Sequence, residues 1–236
     1  MDRSRTLTPP LVILALLLTL GTFYTQFFVY GEDYLAESES GRQRAVIGRA
    51  APSPRQYRVL AAWLIEGLER AGRALGVSTP TPAFLVARVL QNLAIFLLAA
   101  LWYRRLIGPQ PSRIAWGLIF LAWGMSYAFR DGGLDFSVYF SAILCLLAAL
   151  AVSSGRDLWI IPITLAAALN RATAFVIPLA YLACRFRRPI GPRSPGAKAL
   201  LVFSLSLSLW LGVFLGLRLH FGWKPLDRVW LQRPGL

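Results

Sequence analysis

Apolar residues in this chain come in long blocks, and the charges fall in the gaps between them. Leu11 to Tyr30 runs for 20 residues without a charge, and Ala199 to Leu217 runs for 19. A helix rises about 1.5 Å per residue, so each block can cross a hydrocarbon layer roughly 30 Å thick. Three further blocks, Ala83–Tyr103, Ile114–Phe129 and Phe136–Val152, read as additional spans. The last two sit near the short end for crossing and leave little room for tilt.

Two segments depart from this pattern. The connection from Gly31 to Pro82 is mostly polar, yet Leu60, Leu64, Leu68, Ala71 and Leu75 recur at helical steps within 57–75. Glu66 with Arg70, and Glu69 with Arg73, place acids four residues before bases, which favours a helix. The spacing predicts an amphipathic helix, lying on the membrane surface or packed on the protein itself. The apolar block 158–184 is interrupted by Asn170-Arg171-Ala172-Thr173, leaving about half a span on each side.

Composition sharpens the class. Hydrophobic residues make up 56% and charged residues 15% of the 236 positions, well below the charge content of a soluble domain. The net charge of +14 does not point to nucleic acid. Its arginines fill the gaps between apolar blocks (Arg104, Arg105 and Arg113 in one, Arg185, Arg187, Arg188 and Arg193 in another), as basic residues do on the cytoplasmic side of a membrane protein. Only Lys198 and Lys224 are lysines, a bias that fits a GC-rich bacterial genome. Arg3 and Arg5 precede the first block and no small-x-small site follows it, so it reads as an uncleaved anchor with a cytoplasmic N-terminus.

That start creates a parity problem. Four spans return the chain to the cytoplasm near Ser153–Asp157, yet the basic 185–198 loop follows one more apolar block. A re-entrant pair of half-helices meeting at Asn170–Thr173 restores parity, because such a pair brings the chain back to the side it left. Polar backbone at that depth is tolerated where protein or a water-filled cavity surrounds it. A single span of about 27 residues that violates the charge rule is the other solution. The expected fold class is therefore all-α. It is a polytopic transmembrane bundle of about five full spans plus one broken, re-entrant pair, in a single integral membrane domain over 1–236. The expected location is the bacterial inner membrane.

Ionisable residues near membrane depth are the candidates for chemistry, since leaving them unpaired there is costly. Glu32 and Asp33 follow the first span and could act as general base, as metal ligands or as solvated charge. Arg55, Tyr57 and Arg58 open the amphipathic helix and could hold lipid phosphate or reach to headgroups. Arg130, Asp131 and Asp135 lie between the third and fourth spans. Asn170 and Arg171 are flanked by apolar residues, and Arg88 lies within the second span. Arg171 requires a carboxylate, a phosphate or water, and a structural pair with Asp135 would serve as well as a ligand. Cys145, Cys184 and the lone His220 form no spacing for a disulfide, a metal site or a nucleophilic triad, so neither metal nor cofactor is expected.

Three short motifs carry a resemblance. Tyr57-Arg58-Val59-Leu60, the Asp135-Phe136 step and Asn170-Arg171-Ala172-Thr173-Ala174 fall in the order seen in bacterial polytopic membrane proteins related to the C-type glycosyltransferase (GT-C) superfamily. The similarity extends over about Phe23 to Tyr181. Ala172 stands where that pattern has an acidic residue, and such proteins usually run to more spans than follow here. The resemblance implies a polyprenyl-phosphate-linked sugar as donor and a cell-envelope glycan as product. It assigns Asp33 or Glu32 as general base, with Arg55, Tyr57, Arg58 and Arg171 about the phosphate and Asp135, Asn170 and Arg88 in support. A non-catalytic subunit of that fold and a transporter are the alternatives, the latter because a broken helix is also how transporter sites are built.

Overall fold

The computed structural model describes residues 7–33, 40–132, 135–185 and 195–223, with side chains described throughout except at 29–33, 127–132 and 195. Every described element is helical: α1 (Pro9–Asp33), α2 (Ser40–Ile47), α3 (Val59–Ala74), α4 (Thr81–Ile107), α5 (Pro111–Gly132), α6 (Phe136–Ser153), α7 (Ile160–Asn170), α8 (Val176–Arg185) and α9 (Pro195–Phe221), with short 3₁₀ turns at Arg55–Tyr57, Asp157–Trp159 and Ala172–Phe175. Among the described residues, four helical stretches are long and apolar enough to cross a membrane: Pro9–Phe28, Thr81–Ile107, Phe136–Ser153 and Gly196–Phe221.

The helices pack as two groups joined along α4 and α6. In one, Leu11 and Ala15 of α1 meet Phe96, Ala99 and Ala100 of α4 and Ile114, Leu118 and Ala122 of α5. In the other, Leu144, Ala148 and Ala151 of α6 meet Ile160, Ile163, Ala167 and Ala168 of α7, Ile177 and Tyr181 of α8, and Ala199 and Val202 of α9. Alanine recurs at these seams because small side chains let helix backbones approach closely, which is how helices associate where lipid competes for apolar surface. Leu17, Leu20, Phe120, Trp123, Leu201 and Leu215 stay exposed on the outer faces.

The amphipathic segment forms α3, and both expected ion pairs are present, Arg70 to Glu66 at 2.9 Å and Arg73 to Glu69 at 3.7 Å. The buried face is rotated from the predicted stripe. Val59, Ala61, Ala62 and Ile65 are covered, while Leu64 and Leu75 are exposed with Trp63. Ala61 and Ile65 pack against Phe84 and Ala87 of α4 and Phe136 of α6, with Leu68 at the edge of that cluster and Leu60 against the α6–α9 core.

The block 158–184 turns back on itself. Asp157 lies beside the end of α6, and α7 runs from there until the Asn170 amide reaches the Ser137 carbonyl at 2.7 Å, in the first turn of α6. Arg171 is extended (φ −153°, ψ 140°), which ends the helix. After the 3₁₀ turn α8 descends, and Arg185 Nη2 donates to Asp157 Oδ1 at 2.7 Å and to the Val152 carbonyl at 2.8 Å. The hairpin thus starts and finishes at one end of the bundle. The backbone freed at the break is served from α9, where Trp210 Nε1 donates to the Ala172 carbonyl at 2.9 Å. The break lies level with the first turn of α6 rather than half-way along it, because the 14 residues from Asp157 to Asn170 reach about 21 Å.

Candidate functional site

The motifs singled out in the sequence meet at one end of the bundle. Asp135 caps α6, accepting from the Ser137 amide at 2.9 Å, the ordinary task of an aspartate before a helix. Its other oxygen, Oδ2, receives Arg58 Nη1 at 2.5 Å and lies 3.7 Å from Arg171 Nη2. Arg58 arrives from the turn that opens α3, and Arg171 from the break between α7 and α8. Ser137 ties the group together: its hydroxyl accepts from Arg58 at 3.2 Å and from Arg171 at 3.5 Å, and its carbonyl accepts from Asn170. Asn170 also donates to Ser141 Oγ at 2.9 Å, and Ser141 donates in turn to the Ser137 carbonyl.

The electrostatics are lopsided. Burial alone would push the Asp135 carboxyl up. The Arg58 guanidinium, the hydrogen bonds from Ser137 and the Arg171 guanidinium outweigh it and hold the carboxyl below the usual carboxylate range. One carboxylate therefore serves two guanidiniums, with Arg55 one residue before the buried Gln56 and Tyr57. Among the described residues this half-buried cluster carries more positive than negative charge, which suits an anion with several acceptor oxygens, such as a phosphate.

Beneath this cluster, toward the bundle interior, lies a second polar layer. Gln26 of α1 donates to the Tyr139 hydroxyl at 2.7 Å and accepts from Asn92 of α4 at 3.2 Å. Gln91 donates to the Phe136 carbonyl at 3.1 Å. Arg88, only 1% exposed, lies over the rings of Tyr139 at 3.8 Å and Phe136 at 4.4 Å. Its neighbours are aromatic faces, which stabilise a guanidinium by cation–π attraction.

The other named residues separate into two groups. Tyr57 is buried and its hydroxyl donates to the Gly222 carbonyl at 2.8 Å, which commits it to holding the end of α9. The side chains of Glu32, Asp33, Arg130 and Asp131 lie outside the described residues. The backbone of α1 nevertheless places its end: Gln26 touches Tyr139, Asp33 is about 10 Å further along α1, and Asp135 is about 6 Å back along α6 in the same direction. The last turn of α1 therefore lies at the Asp135 end. Sequence reasoning did not pick out Ser137, Ser141, Gln26 or Tyr139. The signal for the two serines was their spacing of four behind a capping aspartate, which puts both hydroxyls on the helix face that meets α7. Among the described residues, no three His, Cys, Asp or Glu side chains gather as a metal site.

Among the described residues, fold and site together define an all-helical protein with four helices long and apolar enough to cross a membrane and a basic polar cluster at one end of the bundle. Comparison with family models, with curated proteins and with solved structures finds no match for the chain.

Proposed function

We propose that the chain is a GT-C-like membrane glycosyltransferase that takes sugar from a polyprenyl-phosphate donor at the Asp135 end of the bundle. The observation that carries this reading is the meeting of Arg58 and Arg171, from segments 113 positions apart, on one carboxylate beside the end of α1. In this reading α1, α4, α5, α6 and α9 are full spans, α7 and α8 are the re-entrant pair, and the N-terminus is cytoplasmic. The cluster then faces the outside, where the donor is presented.

The chemistry follows from the groups. An acceptor hydroxyl attacks the anomeric carbon and gives its proton to Asp33 or Glu32 as general base. The bond from that carbon to the phosphate oxygen breaks, and its electron pair leaves with the polyprenyl phosphate. Negative charge grows on the phosphate in the transition state, where Arg58 and Arg171 stabilise it, with Arg55 in reach. Asp135 and Ser137 act as positioning residues that aim the two guanidiniums. Attack opposite the departing phosphate inverts the anomeric centre.

A second reading has its own observation. Arg58, Arg171 and Asn170 already have protein partners, an arrangement that suits a non-catalytic subunit held together by polar contacts. Mass spectrometry of lipid-linked sugars and envelope glycans separates the two. The strains are a deletion, the deletion carrying the wild-type gene, and the deletion carrying Asp33→Asn. The enzyme reading predicts one glycan species lost on deletion, restored by wild type and not by Asp33→Asn. Identical glycans in all three strains would remove glycosyl transfer and leave the subunit.

A further inference from the structure

Helix α3 has an apolar side that the bundle covers only in part. Projected down its axis, the charges Glu66, Glu69, Arg70 and Arg73 share one half of the helix, and the other half carries none. Within that uncharged half, Ala61, Ile65 and Leu68 pack with Phe84 and Ala87 of α4 and Phe136 of α6. Beside them Trp63, Leu64, Gly67, Ala71, Ala74 and Leu75 form an exposed strip, with Trp63 at 52% and Leu75 at 84%. A contiguous apolar strip rimmed by charged residues marks a surface that meets something other than water.

What the strip meets follows from where α3 lies. It touches α4 at Phe84 and Ala87, within two turns of Thr81, and α6 at its first residue, Phe136. Val59 and Ala62 share a cluster with Leu217 and Phe221, in the last two turns of α9, and with Leu169 at the end of α7. Helix α3 therefore lies across the ends of α4, α6 and α9, three helices long and apolar enough to cross a membrane. That is the level at which headgroups give way to hydrocarbon, and a helix lying there buries its apolar side in the leaflet. Trp63 suits this boundary, with an apolar ring and an N–H that reaches water. We propose that the exposed strip of α3 seats in the lipid leaflet at the Asp135 end of the bundle. Apolar contact holds the seat rather than lipid charge, because the charged half pairs its own groups. Arg70 meets Glu66 at 2.9 Å, and Arg73 meets Glu66 at 3.3 Å and Glu69 at 3.7 Å. The seat also sets the depth of Arg58, which directly precedes the first turn of α3. The inference rests on the bundle lying in a membrane and not on glycosyl transfer.

The test reads depth residue by residue in the full chain, with Cys145 and Cys184 replaced by serine, reconstituted in phosphatidylcholine vesicles. Nitroxide labels go on single cysteines, three on the strip (Gly67→Cys, Ala71→Cys, Ala74→Cys) and two on the charged half (Arg70→Cys, Arg73→Cys). All five positions are exposed, and a side chain added at Gly67 meets nothing within 4 Å. Oxygen, which concentrates in hydrocarbon, and a water-soluble nickel chelate are compared for how strongly each relaxes the label. Oxygen should dominate at 67, 71 and 74 and the chelate at 70 and 73, so that the ratio of the two follows the helical repeat. A strip position whose variant fails to reconstitute is replaced by Leu64→Cys or Leu75→Cys. Dominance of the chelate at all five positions would overturn the proposal, since the strip would then face water. Weak relaxation by both agents at 67, 71 and 74 would overturn it too, in favour of a protein partner such as a second copy of the chain.

Discussion

Asp135 is the residue on which the cluster depends, because it caps a helix and neutralises one of two guanidiniums. At 32% exposure, against 18% for Arg58, the pair lies between a surface ion pair and a buried one. Asp135→Ala should therefore lower stability in detergent by about 1–3 kcal/mol, with part of the loss coming from the missing cap. Arg58→Ala combined with Asp135→Ala should cost less than the two single changes added, and strict additivity in that cycle would deny the pair. The pH dependence follows from the lowered carboxyl pKa. The stabilisation is complete above the ordinary carboxylate value of about 4 and is lost as the pH falls through the lower folded value. Asp135→Asn should remove that acid dependence, which thermal unfolding from pH 6 to pH 3 would show. Asn170→Ala should cost about 1–3 kcal/mol, since it deprives the buried end of α6 of an amide donor. At this scale the charged members were legible, because an ionisable residue in an apolar block has few ways to be satisfied. Ser137 was not legible, because a serine in a helix shows no charge and its role depends on which helix faces it.

Among the elements, the break between α7 and α8 was foreshadowed by the polar interruption at Asn170–Thr173. Its depth was not foreshadowed, since that depends on where along α6 the Asn170 amide finds its carbonyl. The Trp210 indole that serves the Ala172 carbonyl lies 38 positions away, and no local pattern announces it. Trp210→Phe keeps most of the apolar contact and removes that donor. It should cost about 1 kcal/mol and increase amide exchange at 172–175, whereas unchanged exchange would show that the indole is not needed there. For α3, periodicity gave the helix and its ion pairs but not how its apolar residues divide: Leu60 and Leu68 pack against the bundle while Leu64 and Leu75 stay exposed with Trp63. Ala61 and Ile65 face α4, while Ala62 packs with Val46, Ala51 and Val59. The α4–α5 seam demands close approach at Gly117, where an added Cβ would come within 2.8 Å of the Tyr103 ring. Gly117→Val should destabilise by about 1–3 kcal/mol unless Tyr103 turns away, which Gly117→Val/Tyr103→Ala would reveal as partial recovery.

For the whole molecule, the turn back at Arg171 decides which groups share an end of the bundle. It places Arg185 with Arg105 at the end of α6, and it places Arg171 with Arg58 and Asp135, where the donor phosphate is proposed to bind. Had the block crossed as one straight helix, Arg171 would lie mid-way and the cluster would not form. Sidedness is therefore the most direct measurement of the account. Single cysteines at Gln110, Arg156, Arg185 and Thr173, in a chain with Cys145 and Cys184 replaced by serine, are labelled with an impermeant maleimide in intact cells and in inverted vesicles. The account predicts that positions 110, 156 and 185 label from one side and position 173 from the other. Labelling of 185 from the side of 173, opposite to 156, would contradict the hairpin and the site built on it.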